Sequence, residues 1–462
     1  MTEHLLTILN NAPIPSKAER LFAVETAVVD MHWEGGDDAL KKEYFSRLPE
    51  LLSRAGVPDE FTQEAPRGGD QRMVDAGAFD KTIDIFREDR DWSGSGTEED
   101  LREDVKRILF GSPTMHAGGS LANTFQAMVK STIDGETIFD GKFRTATGRD
   151  DAGESFFNAL CENGQVLQRR DFKTMLCHVV PVDGDRILIA TPNGNVEAQN
   201  LISADNMITE RQIEDIKSAG KIMIGGFTCF TPNGFDIYDR LASVFDKTQL
   251  QRPEFVMTAA NQNVVNQEMV QEQIRKIQRI ADTTIHANTG EFRRLLGMDD
   301  HWRHFTEAQF EYLSGHALEE AKQANSRYQE DKAEANMNAM RHAMQYASHI
   351  KADFGRETQY VVTNGSKATY QIALGHRESL STAKVDRSKI ISTVGAGDNH
   401  MAGYQIGKQL GLDNQSALAL ANTFAGAVIQ SPLARLDDSA EFEHQGRKYG
   451  GPLAHALSLV VK

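Results

Sequence analysis

Residues 392–400, STVGAGDNH, carry the motif that decides how this chain folds. A β-branched run at 389–391 precedes the motif and a helical pattern follows it, so its glycines are expected to form a turn between a strand and a helix. Such a turn gathers backbone N–H groups at a helix N-terminus, where the helix dipole favours anions. The motif therefore predicts an anion hole with Asp398 beside it as a general base. A left-handed turn in which Asp398 only caps the helix is the alternative.

Composition excludes several classes of protein. The chain has 462 residues, of which 40% are hydrophobic and 25% charged, as is typical of a globular protein with a large core. Its net charge of −16 disfavours nucleic acid and anionic membranes as partners. Three cysteines without metal-ligand spacing suit a reducing compartment. There is no signal-peptide pattern and no membrane-spanning apolar run, so we expect a cytoplasmic protein.

The chain from residue 210 onward alternates between apolar strand patterns and helical patterns. Strands are expected at 221–225, 255–258, 283–286 and 360–363, and helices between them include 264–280 and 307–351. This alternation predicts a doubly wound, mostly parallel sheet with helices on both faces. Alternating segments on either side of Asp183-Gly184 predict a hairpin in a smaller sheet.

The first third of the chain contains two further candidate sites. Residues 21–30 are expected to form an opening strand that ends on Asp30, which could bind a polar ligand or simply form a turn. Gly118 and Gly119 open a helical pattern, so the backbone there is expected to approach a small ligand. Asn123, one turn later, can donate to and accept from a hydroxyl group. Between these sites, the acidic residues 59–104 predict a surface insertion with Thr97 as a helix cap.

Two predicted strand ends carry polar groups. Asn288 and Glu291 are three residues apart, so they share a face on an opening helical turn. A carboxylate and an amide suit Mg²⁺, although the same pair could form only a capping box. Residues 363–368, TNGSKA, bring hydroxyl, amide and ammonium groups together and could hold a nucleotide or form only a hairpin turn.

In their order along the chain, these motifs resemble the ribokinase-like (PfkB) family of sugar and nucleoside kinases, over roughly residues 20–436. The matching segments are Asp30, GGSLAN at 118–123, GRDDAG at 148–153, NTGE at 288–291, TNG at 363–365 and GAGD at 395–398. The last of these is the most specific. Ala421-Asn422 and residues 430–436, QSPLARL, are similar to inosine/guanosine kinases.

The chain departs from the family pattern at several positions. Ser392 stands where Asp is usual, and Ala368 stands where a second glycine is usual. Asn399 and His400 replace a small residue and Phe. Segments near 59–104 and 302–350 are longer than the family norm. Histidines such as His116, His178 and His400 are interpreted as core or surface residues rather than ligands.

The resemblance implies one domain over residues 1–462 with an α/β fold. Its doubly wound, mostly parallel sheet would be flanked by helices and carry a small β-lid, with lid strands within 20–45, 110–145 and 165–200. It implies transfer of the γ-phosphoryl group of ATP, with Mg²⁺, to a primary hydroxyl of a sugar or nucleoside. A monovalent cation and a homodimer formed through the lid remain open.

The resemblance also implies roles for the residues. Asp398 would accept the proton of the attacking hydroxyl group, and the transferring phosphoryl oxygens would be held by the N–H groups of Gly395, Ala396 and Gly397. The metal would be organised by Glu291 and Asn288. The nucleotide would be bound by Asn288, Thr363, Gly365, Lys367 and Asn422. The acceptor, expected to be a furanose, would be held by Asp30, Gly118, Gly119 and Asn123.

Other functions share some of these features. An ADP-dependent sugar kinase would have the same core, and only a donor assay separates it from an ATP-dependent enzyme. A catalytically silent binding or regulatory protein could share the fold, given Ser392 and Ala368. A nicotinamide dehydrogenase is disfavoured because no GxGxxG follows an N-terminal strand. The similarity of residues 430–436 favours a ribonucleoside over a free sugar.

Overall fold

The computed structural model describes residues 2–25, 27–57, 71–73, 76–160, 163–169, 173–182, 185–191, 203–226, 228, 234–245, 252–259, 268–296, 298, 315–382, 385–431 and 435–461. Several sequence predictions fall outside these residues. They are the Asp183-Gly184 turn, the helix start at 264–267, residues 302–314 of the second insertion, Cys161, Cys229 and residues 432–434.

The strands are, in chain order, β1 (Glu19–Val24), β2 (Val28–Glu34), β3 (Gln71–Met73), β4 (Ser112–Gly118), β5 (Thr132–Ile133), β6 (Glu136–Thr137), β7 (Phe139–Gly148), β8 (Gly164–Arg169), β9 (Met175–Val182), β10 (Asp185–Thr191), β11 (Lys221–Ile224), β12 (Glu254–Thr258), β13 (Thr283–Asn288), β14 (Thr358–Asn364), β15 (Ala368–Ala373), β16 (His376–Ser381), β17 (Glu441–His444) and β18 (Arg447–Gly450).

The helices are α1 (Thr2–Asn11), α2 (Asp38–Arg54), α3 (Ala76–Glu88), α4 (Glu98–Phe110), α5 (Ser120–Val129), α6 (Asp151–Leu160), α7 (Ala204–Met207), α8 (Glu210–Ser218), α9 (Gly234–Val244), α10 (Glu268–Ile280), α11 (Thr289–Leu295), α12 (Gly315–Phe354), α13 (Ala396–Gln409), α14 (Asn414–Val428) and α15 (Gly451–Val461). None of the helices in the described part of the chain is long and apolar enough to span a bilayer.

The main sheet has nine strands in the order β16-β15-β14-β13-β12-β11-β1-β7-β8. Its pairs are parallel except those of β15, which runs antiparallel to both β14 and β16. The strands up to β8 are added on one side of β1, and the strands from β11 to β16 are then added on its other side. The order therefore reverses at β1, and ligands of such sheets bind where it reverses, at the carboxyl ends of the strands.

Helices cover both faces of this sheet. Alternate residues of one strand enter different cores: Ala23 packs with α1, α5, α13, α14 and α15, whereas Phe22 and Val24 pack with helices from α7 to α12. This alternation follows from the two-residue repeat of a strand. The predicted doubly wound α/β sheet with a small accessory sheet is confirmed.

The second sheet has the order β3-β10-β9-β2-β4. One face packs on α2, α3 and α4 and contributes Trp33, Val180 and Ile189 to a separate hydrophobic core. The opposite face, which includes Val28 and Cys177, packs on Val394 immediately before the GAGD motif. The acidic segment near 59–104 thus supplies helices that cover this sheet, and Thr97 caps α4 as predicted. A third sheet has the order β17-β18-β5-β6.

Two strand predictions are wrong. The expected opening strand is split, because the chain leaves the main sheet after Val24 and joins the second sheet at Val28, so Asp30 lies within β2 and not at a strand end. The β-branched run before the GAGD motif is not a strand. Arg387–Lys389 forms a 3₁₀ turn, and the N–H groups of Ile391 and Ser392 donate to the carbonyl of Ile429 at 2.8 and 3.2 Å. The Ile391 side chain is 61% exposed.

Helices α13 and α14 approach closely because small residues face each other. A Cβ atom added to Gly403 would lie 2.9 Å from the Cα atom of Ala421 and 2.9 Å from the carbonyl oxygen of Leu420. A Cβ atom on Gly407 would similarly meet the Cα atom of Ala417 at 2.9 Å. The backbone of α14 therefore fixes the height at which α13, and the GAGD turn that begins it, sits above the sheet.

We predict that Gly403→Ala lowers the free energy of unfolding by about 1–3 kcal/mol, because backbone atoms of α14 must move aside. Gly426→Ala in α14 is the matched control, since its nearest neighbour would be Val385 Cγ2 at an ordinary 3.6 Å. The control should gain up to about 1 kcal/mol from helix propensity. Urea unfolding of both variants measures this, and equal effects would contradict the packing argument.

Candidate active site

Asp398 lies in the first turn of α13. The preceding Gly395 has φ 73° and ψ 0°, a left-handed conformation that glycine adopts without strain, and it is the N-cap residue of the helix. The helix is therefore capped by Gly395 rather than by Asp398. The N–H groups in the first turn of α13 have no carbonyl acceptor within the helix, because no helical residue precedes them. They therefore lie at the same end of the helix as Asp398.

Helix α5 holds Asp398 from the other side. The side-chain amide of Asn123 donates to Asp398 Oδ2 at 3.2 Å. The hydroxyl of Thr124 lies 2.9 Å from the backbone carbonyl oxygen of Asp398 and 2.9 Å from that of Ser120. The predicted acceptor residue Asn123 and the predicted base are thus in direct contact.

A cavity of about 130 Å³ opens beside Asp398. Its lining includes several residues predicted from the sequence: Asn288, Glu291, Thr363, Gly397 and Asp398. They meet because β13 and β14 are parallel neighbours in which Asn288 lies opposite Thr363, so both strands end at the same edge of the sheet. This is the edge on which ligands of doubly wound sheets bind.

Asn288 and Glu291 form the capping box that was the alternative to a metal site. Asn288 Oδ1 accepts from the N–H groups of Gly290 at 2.9 Å and Glu291 at 3.0 Å, and Glu291 Oε2 accepts from the N–H group of Asn288 at 2.8 Å. Burial raises the pKa of Glu291 to about 7, and the nearby Asp398 carboxylate adds to that rise. The capping box therefore holds the Glu291 carboxyl group at the cavity wall.

Asp30 and the paired glycines lie together at the junction of the two sheets. Strands β2 and β4 pair so that Asp30 lies opposite His116 and Val28 lies opposite Gly118. A Cβ atom on Gly118 would lie 2.1 Å from Asp30 Cγ, so only glycine leaves room for that carboxylate. Gly119, which directly follows β4, has φ 86° and is the N-cap residue of α5.

The remaining predicted nucleotide residues lie farther out. Residues Thr363 to Lys367 form a turn between the antiparallel strands β14 and β15, as the hairpin alternative expected. Gly365 and Lys367 are exposed at its tip, whereas Thr363 reaches the cavity. Asn422 is buried in α14 behind His400 and is not part of the cavity wall.

Comparison with known proteins fits this arrangement. The sequence model of the pfkB family of carbohydrate kinases matches residues 95–440. The chain belongs to this family. It is therefore a kinase. A search of curated protein sequences found no match.

Solved structures of related kinases share the fold. The adenosine kinase of Anopheles gambiae has a TM-score of 0.58 at 13% identity, covering 90% of this chain and 96% of that chain. The adenosine kinase of Sinorhizobium meliloti has a TM-score of 0.56 at 15% identity, covering 90% and 96%. A probable sugar kinase from Rhizobium etli has a TM-score of 0.54 at 16% identity, covering 90% and 94%.

Several residues beside the cavity were not predicted from the sequence as site residues. His286 and His400 line the cavity. His400 is also buried, in keeping with its interpretation as a core residue. Burial lowers the pKa of His400 to about 4 and lowers that of His286 well below its usual value. Both imidazoles are therefore neutral at physiological pH.

Two charged residues near Asp30 were also missed. Glu25, directly after β1, is fully buried, and its charge interacts with those of Asp398 and Asp30. The sequence prediction extends the first strand past Glu25, so it assigns the acid at the strand end to Asp30 instead. Arg435 donates to the carbonyl of Ala117 at 3.1 Å and lies near enough to Asp30 for their charges to attract.

The raised pKa of Glu291 predicts a pH-dependent stability. In the unfolded chain the carboxyl group ionises near its usual pKa of 4.5, whereas in the fold it holds its proton up to about pH 7. The group therefore contributes stability below its unfolded pKa, and that contribution disappears as the pH rises through 7. Relative to Glu291→Gln, the free energy of unfolding should fall by about 3 kcal/mol between about pH 4 and pH 8.

Urea unfolding across this pH range measures the difference, with Glu254→Gln as the control. Burial would raise the pKa of Glu254, but the neighbouring Lys221 and hydrogen bonds to the carboxylate lower it overall. The control should therefore show the opposite slope, losing stability as the pH falls. If the difference in unfolding free energy between the wild type and Glu291→Gln does not change with pH, the Glu291 carboxyl group is solvated.

Proposed function

We propose that this kinase transfers the γ-phosphoryl group of ATP to a primary hydroxyl of a sugar or nucleoside, with a ribonucleoside favoured. The observation that carries the proposal is the contact between Asn123 and Asp398 at the edge of the cavity. In this contact the Asp398 carboxylate lies at the start of α13. Asn123, which is suited to binding acceptor hydroxyls, lies on one side of it, and the cavity beside Glu291 lies on the other. Phosphoryl transfer needs this kind of positioning more than covalent participation.

In the proposed reaction, Asp398 accepts the proton of the acceptor hydroxyl as its oxygen attacks the γ-phosphorus atom. The bond between that phosphorus and the bridging oxygen of ADP breaks, giving ADP and a phosphate monoester. The N–H groups of Gly395, Ala396 and Gly397 stabilise the charge on the transferring oxygens, aided by the helix dipole. The N–H group of Ala396 has a long contact, 3.4 Å, to the carbonyl of Thr393, which is weak enough to be exchanged for a phosphoryl oxygen.

The donor set at the cavity fits Mg²⁺. Burial is the main cause of the raised pKa of Glu291, and repulsion from Asp398 adds to it. A cation beside both carboxyl groups would relieve that repulsion. No group of three or more His, Cys, Asp or Glu side chains in the described residues is arranged to hold a metal. Mg²⁺ is usually bound by one or two carboxylates together with waters and phosphates, so such a cage is not required.

Glu291 is the proposed metal-side ligand, directly or through water. Asn288 orients it through the capping box, because the amide oxygen of Asn288 already accepts two backbone hydrogen bonds. When bound, Mg²⁺ would neutralise phosphate charge near the transferring group. Thr363 would flank the phosphates, with Gly365 and Lys367 farther along the nucleotide and Asn422 acting through His400.

The acceptor would lie between the second sheet and α5. Asp30 and Asn123 would bind its hydroxyls, while Gly118 and Gly119 allow it to approach the backbone. The second sheet would act as the lid, covering the acceptor and excluding water, which otherwise competes as an acceptor. The preference for a ribonucleoside rests on the similarity of residues 430–436 to inosine/guanosine kinases, and the adenosine kinases among similar structures are in keeping with it.

Asp398→Asn should abolish transfer while leaving the fold and ATP binding intact. The loss should lie in kcat, by about 10²–10⁴-fold, because a positioned base is removed. Transfer is measured with ribonucleosides and furanoses as acceptors and with either ATP or ADP as donor. A variant with near-normal kcat would remove Asp398 from the mechanism, and activity with ADP alone would identify an ADP-dependent kinase.

Asp30→Ala should weaken acceptor binding, because each charge-assisted hydrogen bond to a vicinal hydroxyl is worth about 1.5–3 kcal/mol. Slow hydrolysis of ATP without acceptor should hardly change, which serves as the internal control. For the wild type, a 2′-deoxy or 3′-deoxy nucleoside should be a much poorer substrate than the ribonucleoside. For Asp30→Ala, removing the same hydroxyl should cost little further activity. Equal penalties in both proteins would show that Asp30 does not contact these hydroxyls.

A further inference from the structure

Glu25 occupies the point at which the strand order of the main sheet reverses. It follows β1 directly, and its N–H group donates at 3.3 Å to the carbonyl of Arg144, within the neighbouring β7. The whole residue is inaccessible to solvent. Within the described residues, Glu25 Oε1 has no hydrogen-bond partner. A buried carboxyl group in this state costs stability, so its presence requires a reason.

The other carboxyl oxygen of Glu25 caps helix α5 from outside the helix. Oε2 accepts from the N–H group of Leu121 at 3.0 Å, and the N–H group of Ala122 also points at the carboxylate. These are the second and third N–H groups of α5, the ones that an N-cap side chain normally satisfies. The actual N-cap residue is Gly119, which has no side chain to do so.

A capped first turn fixes the residues that follow it. Asn123 and Thr124 come immediately after the capped N–H groups, and these two residues contact the side chain and the backbone carbonyl of Asp398. One continuous set of contacts therefore runs from Glu25 through the start of α5 to the proposed base.

Gly225 provides the space for the Glu25 side chain. It follows β11, the other neighbour of β1, and its N–H group donates to the carbonyl of Val24 at 3.2 Å. A Cβ atom on Gly225 would lie 1.9 Å from Glu25 Oε1, and its nearest neighbours would all be atoms of the Glu25 side chain. An alanine at this position would therefore act on the site by displacing Glu25.

We infer that Glu25 is a positioning residue for phosphoryl transfer: it caps α5 and so holds Asn123 and Thr124 against Asp398. The inference rests on the proposed function, since it assigns Glu25 a role in aligning the base of that reaction. Gly119 has φ 86°, which Ser or Asp would adopt only with strain, so α5 takes its cap from Glu25 instead. The role differs from a merely structural one because the residues that follow the cap contact Asp398. The ATP side of the cavity is built on β13, α11 and β14, which Glu25 does not touch.

The first test compares Glu25→Ala with Glu25→Gln. The alanine variant should lose about 10–100-fold in kcat, with the KM for ATP unchanged, because misalignment of a reacting group is costly. Glutamine retains an oxygen that can accept from Leu121 and should stay within about threefold of the wild type. Glu254→Gln, a change at the amino-terminal edge of the same sheet, controls for lost stability and should keep the wild-type kcat.

The second test is a double-mutant cycle with Gly225→Ala. In the wild-type background this change should lower kcat by displacing the Glu25 carboxylate. In the Glu25→Ala background it should have little further effect, because the clash no longer exists. Additive losses would show that Gly225 acts independently of Glu25 and would overturn the inference.

Amide hydrogen exchange at Leu121 and Ala122 gives a readout that does not depend on activity. Exchange should accelerate in Glu25→Ala and not in Glu25→Gln. A wild type without transferase activity would reject the proposed function, and unchanged exchange in Glu25→Ala would reject the cap as well. If the wild type is active, an alanine variant with normal kcat, or a glutamine variant as impaired as the alanine one, overturns the role of Glu25 alone.

Discussion

The contact between Asn123 and Asp398 is the interaction on which the arrangement of the site depends. It joins α5, which enters directly from the second sheet through Gly118 and Gly119, to α13, which carries the GAGD motif. The position of Asp398 is therefore set by two elements that are far apart in sequence. Small residues between α13 and α14 fix one side of this contact, and the junction of the two sheets fixes the other.

The same region concentrates negative charge. Glu25, Asp30, Glu291 and Asp398 approach one another, and burial raises the pKa of both glutamates. The neighbouring histidines are neutral, whereas Arg435, the amide of Asn123 and helix N-termini offset part of this charge. Carboxyl groups held together at a cost to folding are characteristic of sites that bind cations or move protons. Without bound ligands, the protein is therefore less stable than its hydrophobic cores alone would make it.

Much of this arrangement follows from local sequence. The GAGD turn, the capping box of Asn288 and Glu291 and the apolar strands β11 to β14 each depend on residues close in sequence, so their patterns identify them. The split between β1 and β2 does not follow from local sequence. Residues 21–30 have one continuous strand pattern, and it is divided only because β1 and β2 pair in different sheets. Glu25 was missed for that reason. The run at 389–391 has strand propensity, but the N–H group of Ile391 donates to the carbonyl of Ile429 at the end of α14 and not to a strand.

The separate hydrophobic core beneath α2, α3 and α4 has a mechanical consequence. The second sheet is stiffened by this interior, and Val29 of β2 and Ala117 of β4 couple it to the main core. The chain passes directly from the second sheet into α5 at Gly118–Gly119. A displacement of the second sheet would therefore reach the first turn of α5 over only one or two residues. Closing over an acceptor and aligning Asp398 would then be one movement and not two.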